Sequence, residues 1–405
     1  MIARSPTLER VVGGQLCSGC GLCASVGGEA IEMTVAPPGY NRPRQIAPIS
    51  EAQEETIAQT CPGAVVAPWH PAPETHVYWG PYHSVATGHA TDAALRHLAS
   101  SGGMISALLI HALASGRVDA VLHIVADPER PTRNIVQISR TADAVLNGAG
   151  SRYAPSSPLA EIERVLAGNE RIAFVGKPCD VSALHQLGAR DPRVADRIPL
   201  VISFFCGGIP SHGGTDRILT DLGVEAAAVA QFRYRGDGWP GFATATRHDG
   251  SAERMTYMAS WGGHLSKTVQ FRCKICPDPV GGVADIACAD AWECDERGYP
   301  LFEELDGRSL ILARTEYGEA FVREALAAGA IRLDPAKAED IDSMQPSQAR
   351  RKRLELSRLL ALVATFQPRF RARGLHVLAA ARRAGPGETL RSFAGSVRRI
   401  LINRR

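Results

Sequence analysis

Apolar positions along this chain change period several times, and the changes divide it. Between residues 77 and 333, short β-type runs alternate with helix-type runs. Runs 118–125, 172–176, 200–205, 228–234, 242–247 and 310–314 read as strands, and 104–114, 158–166, 180–187, 215–222 and 319–328 as helices. This alternation predicts an α/β core on a mixed sheet, with antiparallel pairing around residues 234–256. Before it, 30–35 and 44–49 read as short strands joined by the turn-rich stretch from Pro37 to Pro43. Ser50 opens a helix with Glu51, Glu54 and Glu55 near its positive end, and Pro62-Gly63 stops it just after Cys61. A proline-spaced linker follows at 68–73. Beyond residue 349 two amphipathic faces appear, one with Leu359, Leu362, Val363 and Phe366, the other with Leu390, Phe393, Val397, Ile400 and Leu401. No internal repeat is evident.

Composition adds little to this division, but charge sharpens it. At 405 residues, 45% hydrophobic and 21% charged, the chain is of globular type and long enough for two or three units. No apolar run of about 18 residues reads as a membrane span, and Met1 to Pro6 has no signal-peptide character, so a reducing cytoplasm is expected. The net charge of +3 conceals a tail, from Ala349 onward, with fourteen Arg, one Lys and two Glu. The tail thus carries +13 and the remainder −10, so the two have different partners. A basic amphipathic tail suits an anionic membrane surface or an acidic partner; folding back on its own acidic body is the other reading. Nothing resembles a nucleic-acid recognition element.

Cysteines carry the chemistry. Cys17-Ser18-Gly19-Cys20-Gly21-Leu22-Cys23 places three thiols in one tight loop, and the distant Cys61-Pro62 adds a fourth, the ligand pattern of a cubane 4Fe-4S cluster. Gly19 and Gly21 permit the tight turns such a loop needs. A disulfide knot requires an oxidising compartment, and zinc sites usually pair two short elements instead of using a triplet. Six cysteines remain. Cys179 and Cys206 end predicted strands, where ligand crevices of α/β sheets lie, and with the Cys273/Cys276 pair they would make a second four-thiolate site. Alternatively Cys273, Cys276, Cys288 and Cys294 form a local site; spacing leaves both open.

Ser100-Ser101-Gly102-Gly103 precedes the predicted helix 104–114, whose apolar face carries Ile105, Leu108, Leu109 and Leu113. A helix start of this kind is either a plain cap or a seat for phosphate. No Gly-x-Gly-x-x-Gly motif supports a Rossmann dinucleotide site.

Taken in order, these motifs resemble the coenzyme F420 hydrogenase/dehydrogenase beta subunit family, which includes 7-hydroxymethyl chlorophyll a reductase. The resemblance covers about residues 14 to 335. It rests on the Cys17–Cys23 loop, Ser100 to Gly103, Gly150-Ser151-Arg152-Tyr153, Gly176-Lys177-Pro178-Cys179-Asp180, Cys206-Gly207-Gly208, Arg235-Gly236-Asp237-Gly238-Trp239, Cys273-Lys274-Ile275-Cys276 and the run from Ala284 to Trp292. The resemblance implies FAD and one or two cubane clusters, with electrons passing between a soluble carrier (coenzyme F420 or ferredoxin) and a substrate or partner redox subunit. It places the second cluster on Cys179, Cys206, Cys273 and Cys276. The chain departs from the family pattern at Cys288-Ala289, where a small residue and Gly are usual.

The expected organisation is a ferredoxin-like iron–sulfur unit at 1–75, an α/β FAD and iron–sulfur unit at 76–345, and a basic helical tail at 346–405. Arg152, Lys177 and Arg235 are cations for FAD phosphates or an anionic flavin, Trp239 is a stacking surface, and each is equally an ordinary ion pair or core residue. The function expected is that of an iron–sulfur flavoprotein oxidoreductase. The alternative is a non-catalytic iron–sulfur sensor or assembly protein without a substrate pocket.

Overall fold

The computed structural model describes residues 1–295, 301 and 303–402. Its centre is an eight-stranded sheet, with strands numbered here in chain order: β1 Ser84–Ala90, β2 Ala120–Ala126, β3 Asn134–Ser139, β4 Ile172–Val175, β5 Leu200–Phe204, β6 Ile286–Asp290, β7 Ser309–Ala313 and β8 Ile331–Pro335. Their spatial order is β8-β1-β7-β6-β5-β4-β2-β3. The four middle strands β6, β5, β4 and β2 run parallel, while β7, β1 and β8 on one wing and β3 on the other pair antiparallel. Parallel strands need both faces covered. Two buried apolar layers supply this: Leu122, Phe174, Leu310 and Leu312 belong to one, and Val121, Ala173, Ile202, Ile286 and Ile311 to the other.

β4 and β5 are joined by the helix Pro178–Gly188, which starts with Pro where a helix leaves an amide unused. After β5 the chain forms the helix His212–Asp221 and a three-stranded antiparallel sheet, Val229–Arg233, Phe242–Arg247 and Ala252–Thr256, before returning to β6. The antiparallel pairing expected near residues 234–256 is this small sheet.

The N-terminal module precedes the sheet and packs into its core, with Leu16, Cys17 and Leu22 in one buried cluster with Phe174 and Leu184. The hairpin Ile31–Ala36 and Tyr40–Gln45 turns at Pro37-Pro38-Gly39, so its second strand starts four residues before the expected one. Pro43 lies inside that strand opposite Met33, which a two-stranded hairpin tolerates because one edge of each strand is unpaired. Ser50 caps the helix Glu51–Thr60 in a reciprocal capping box with Gln53, and Cys61 sits at its end.

The tail lies on the body. Residues Arg371–Ala372 pair with Val65–Val66, and Leu362, Leu375, Ala380 and Ile400 share one buried cluster with Leu16, Phe174 and Phe271. Lys352 is fully buried, with its ammonium on the carbonyls of Pro277 (2.9 Å) and Leu375 (3.0 Å) and on Glu355 (3.3 Å). Of the two amphipathic faces, Leu359, Leu362, Phe393, Val397 and Ile400 turn to the core, while Val363, Phe366, Leu390 and Leu401 are exposed. The fold-back reading of the tail therefore describes its geometry. No helix among the described residues is long and apolar enough to cross a membrane.

Candidate functional site

The Cys17–Cys23 loop owes its shape to its glycines. Gly21 has φ +90°, and a Cβ there would stand 2.7 Å from the Ala160 amide nitrogen; Gly19 has φ +78° and lies against the Asn41 carbonyl. The Gly19 amide donates to Cys17 Sγ at 3.4 Å. Cys17, Cys20, Cys23 and Cys61 all line one small cavity with Leu8, Val11, Leu22 and Ile57. Burial raises the Cys61 thiol to about 11, and Cys17 adds to the effect; burial and neighbouring thiols push Cys20 and Cys23 up as well.

The second group gathers from three elements. Cys179 opens the helix after β4, Cys206 follows β5, and Cys273 and Cys276 lie at and just after the short helix Phe271–Lys274. Gly208, at φ +120°, brings the β5 loop close, since a Cβ there would meet Val269 at 2.6 Å and Cys273 Cβ at 3.2 Å. Burial raises Cys206 to about 12, with Cys273 and Cys276 adding to it, and raises Cys179, which also feels Cys206 and Cys273. Cys288 stands apart: burial alone raises it to about 12, and it sits in the apolar layer on β6. Cys294 donates to the Ser343 carbonyl at 2.8 Å. The structure thus brings together Cys179, Cys206, Cys273 and Cys276, and leaves Cys288 and Cys294 outside that group.

All ten thiols are free of disulfides. Among the described residues no three or more His, Cys, Asp or Glu close on a point that would hold a single metal ion. Buried thiols crowded in fours resist ionisation until a cationic centre sits among them, and a polynuclear iron core fits that donor chemistry.

The two sets are neighbours. Gln270 Nε2 reaches the Ser18 carbonyl at 3.3 Å and Cys273 Sγ at 3.6 Å, so one amide touches both loops. Basic tail residues secure the second set: Arg351 donates to the carbonyls of Cys206 (2.9 Å) and Gly207 (2.8 Å), and Arg358 to that of Lys274 (3.1 Å).

A cleft of about 730 Å³ opens at the carboxyl ends of the parallel strands, the usual ligand position in such sheets. Lys177, Cys206, Asp290 and Trp292 enter it from the ends of β4, β5 and β6, and Tyr257 and Trp261 from beyond the small sheet. The helix Met104–Ala114 points its start into it through Gly103, Met104, Ile105 and Ser106, with Gly103 at φ +74° and no side-chain cap. Ser100, Ser101, Gly150, Ser151, Arg152 and Tyr153 also line it.

Several of these side chains are committed within the protein. Ser100 Oγ accepts from the Ser151 amide, and Ser101 Oγ donates to the Arg308 carbonyl at 2.9 Å. Arg152 donates to Asn134 and to the carbonyls of Pro131, Arg133 and Phe232. Lys177 contacts Asp180 at 2.6 Å and Ser156 at 3.0 Å; burial opposes its charge, but Asp180 outweighs burial and holds it protonated.

Gly102, Arg235 and Trp239 stand behind the lining. A Cβ on Gly102 would lie 2.7 Å from the Gly88 carbonyl, so this glycine serves the packing against β1 and β7. Arg235 binds both oxygens of Asp290 at 2.9 Å, and Trp239 Nε1 donates to the same carboxylate at 2.8 Å while its ring stacks on Trp292 at 4.7 Å. Together they hold Asp290 and Trp292 at the wall. Asp290, Gln270 and Arg351 went unassigned in the sequence because their partners lie 55, 252 and 145 residues away.

Residues 85–163 match the N-terminal region, and residues 169–339 the C-terminal region, of the coenzyme F420 hydrogenase/dehydrogenase beta subunit. The chain belongs to this family. The coenzyme F420 hydrogenase subunit beta of Methanococcus voltae is 27% identical over 279 residues, spanning 66% of this chain and 88% of the relative. That of Methanothermobacter thermautotrophicus is 25% identical over 266 residues, spanning 63% and 85%. The 7-hydroxymethyl chlorophyll a reductase of Oryza sativa is 24% identical over 186 residues, spanning 45% and 38%. In the solved F420-reducing NiFe hydrogenase complex of Methanosarcina barkeri, one chain shares the fold at a TM-score of 0.51 and 20% identity, covering 70% of this chain and 96% of that one. The family is one of oxidoreductases, and its chemistry is electron transfer.

Proposed function

We propose that this chain is an iron–sulfur flavoprotein oxidoreductase passing electrons between a soluble carrier, coenzyme F420 or ferredoxin, and a substrate or partner redox subunit. In this reading Cys17, Cys20, Cys23 and Cys61 hold one 4Fe-4S cluster, Cys179, Cys206, Cys273 and Cys276 hold the second, and FAD occupies the cleft. The observation that carries it is the position of Cys206, which stands among the second set and also lines the cleft. A flavin exchanges electrons in pairs with a hydride donor and singly with cubane clusters. The chain supplies the arrangement. Gln270 keeps the two cysteine loops in contact, and the Gly103 helix start offers unpaired amides and a positive dipole end to a pyrophosphate. Lys177 stands at the cleft wall in an ion pair with Asp180, a polar group able to turn a donor toward an anionic ring or phosphate.

The test is anaerobic mixing of flavin-loaded protein with reduced coenzyme F420 and, separately, with reduced ferredoxin. Bleaching of the flavin absorption by one of them is expected. A loaded protein that neither carrier bleaches would exclude the carrier assignment.

A further inference from the structure

One buried cation is not accounted for by the cleft or by the cysteine ligands. Arg272 precedes Cys273, is only 3% exposed, and sends its side chain back to the N-terminal module, where Nη2 donates to the Pro62 carbonyl at 3.0 Å. Pro62 follows Cys61, so the guanidinium bridges a ligand loop of each cysteine set. The Phe370 ring lies 4.3 Å from it, and its Nε and Nη1 are buried without a hydrogen-bond partner. Among the described residues no carboxylate lies within ion-pairing distance of it; the nearby Glu355 is paired with Lys352. A guanidinium buried in this way is costly unless negative charge stands close by.

Both cysteine sets place a thiol within its field. Arg272 is bonded through the backbone to Cys273 of one set, and its Nη2 reaches the carbonyl of the residue after Cys61 of the other. We propose that Arg272 is the shared counter-cation of the two cysteine sets and raises the reduction potential of both clusters they hold. The inference rests on the cluster reading above. A cubane held by four thiolates is anionic, and each electron it accepts adds negative charge, with no bond made or broken in the protein. A fixed cation therefore favours the reduced state of each cluster, and a single guanidinium between them does so for both.

The test is a redox titration, followed by electron paramagnetic resonance, of anaerobically purified full-length protein. Arg272→Gln should move both midpoints to more negative values, whereas Arg272→Lys should hold them near wild type. Arg351→Gln is the control, because Arg351 donates to the carbonyls of Cys206 and Gly207 in the second set's loop, and it should move one midpoint. If Arg272→Gln does not retain iron, Arg272→Met, which keeps the length of the side chain without its charge, is titrated in its place, and the same negative shift of both midpoints is expected. Unmoved midpoints in a fully loaded variant, a shift in one alone, or Arg272→Lys behaving as Arg272→Gln would overturn the proposal. Iron and sulfide in the wild-type protein are measured first. Absence of clusters there contradicts the functional reading itself, and a single cluster leaves nothing for Arg272 to share.

Discussion

Cys206, half-buried just past the end of β5, and Cys288, buried in the middle of neighbouring β6, differ in that only Cys206 faces other cysteines. That difference predicts their substitution behaviour. Cys179→Ser and Cys206→Ser should each remove about half of the bound iron, while Cys288→Ser and Cys294→Ser should leave the iron content unchanged. Cys288→Ser should cost about 1 kcal/mol of stability, since it buries a hydroxyl in an apolar layer. Iron analysis of the four purified variants checks this, and the reverse pattern would establish the local site. His123 gives a pH prediction. It is buried, with Nε2 2.8 Å from Ser139 Oγ, and burial lowers its pKa from 6.5 to about 4. The unfolded chain therefore takes up the proton first, so the contribution of His123 is intact above pH 6.5 and is lost as pH falls toward and through 4. His123→Gln should flatten the stability curve there by up to about 1.4 kcal/mol per pH unit. Urea midpoints between pH 7 and pH 4 test it, and parallel curves would rule it out.

Among the elements, the helix Met104–Ala114 has the clearest consequence. Its start faces the cleft, and Ser106 lies in its first turn. Ser106→Glu should suit the helix dipole while repelling a bound pyrophosphate, so flavin should be lost by tenfold or more in affinity with iron and fold intact. Flavin titration of reconstituted variant and wild type measures this, and equal affinities would place the phosphate elsewhere. This helix was legible in the sequence at both ends because its apolar positions and its glycines are local signals. Phe242–Arg247 was legible for the same reason, and the strands read at residues 172, 200 and 310 recur within one residue of the expected start. β1 was not. Its segment, Ser84–Ala90, contains Gly88, which weak strand propensity would exclude. The fold requires that glycine because the Arg332 carbonyl of β8 passes where a Cβ would be. β3, β6 and β8 were missed likewise, the last two because their identity as strands rests on partners far along the chain. The same limit applied to the site. Cysteine spacing within a loop could be read directly, but the convergence of Cys179, Cys206 and Cys273 depends on strand order.

At the scale of the whole molecule, three stretches of very different composition share a single packed core, and the tail is fastened to the cysteine loops. Arg351, Lys352 and Arg358 spend their donors on the carbonyls of Cys206, Gly207, Pro277 and Lys274. Three of the tail's fifteen cations are thus used internally on the cysteine loops. The first set, the second set and the cleft adjoin in that order, with Gln270 touching both cysteine loops and Cys206 lining the cleft, and in the proposed reading they form an electron route to the sheet's ligand crevice. The claim that this route is populated by two clusters and a flavin is tested most directly by quantifying iron, acid-labile sulfide and FAD in the anaerobically purified full-length protein. About eight iron, about eight sulfide and about one FAD per chain are expected. Iron near four, stoichiometric zinc, or clusters without flavin would contradict it.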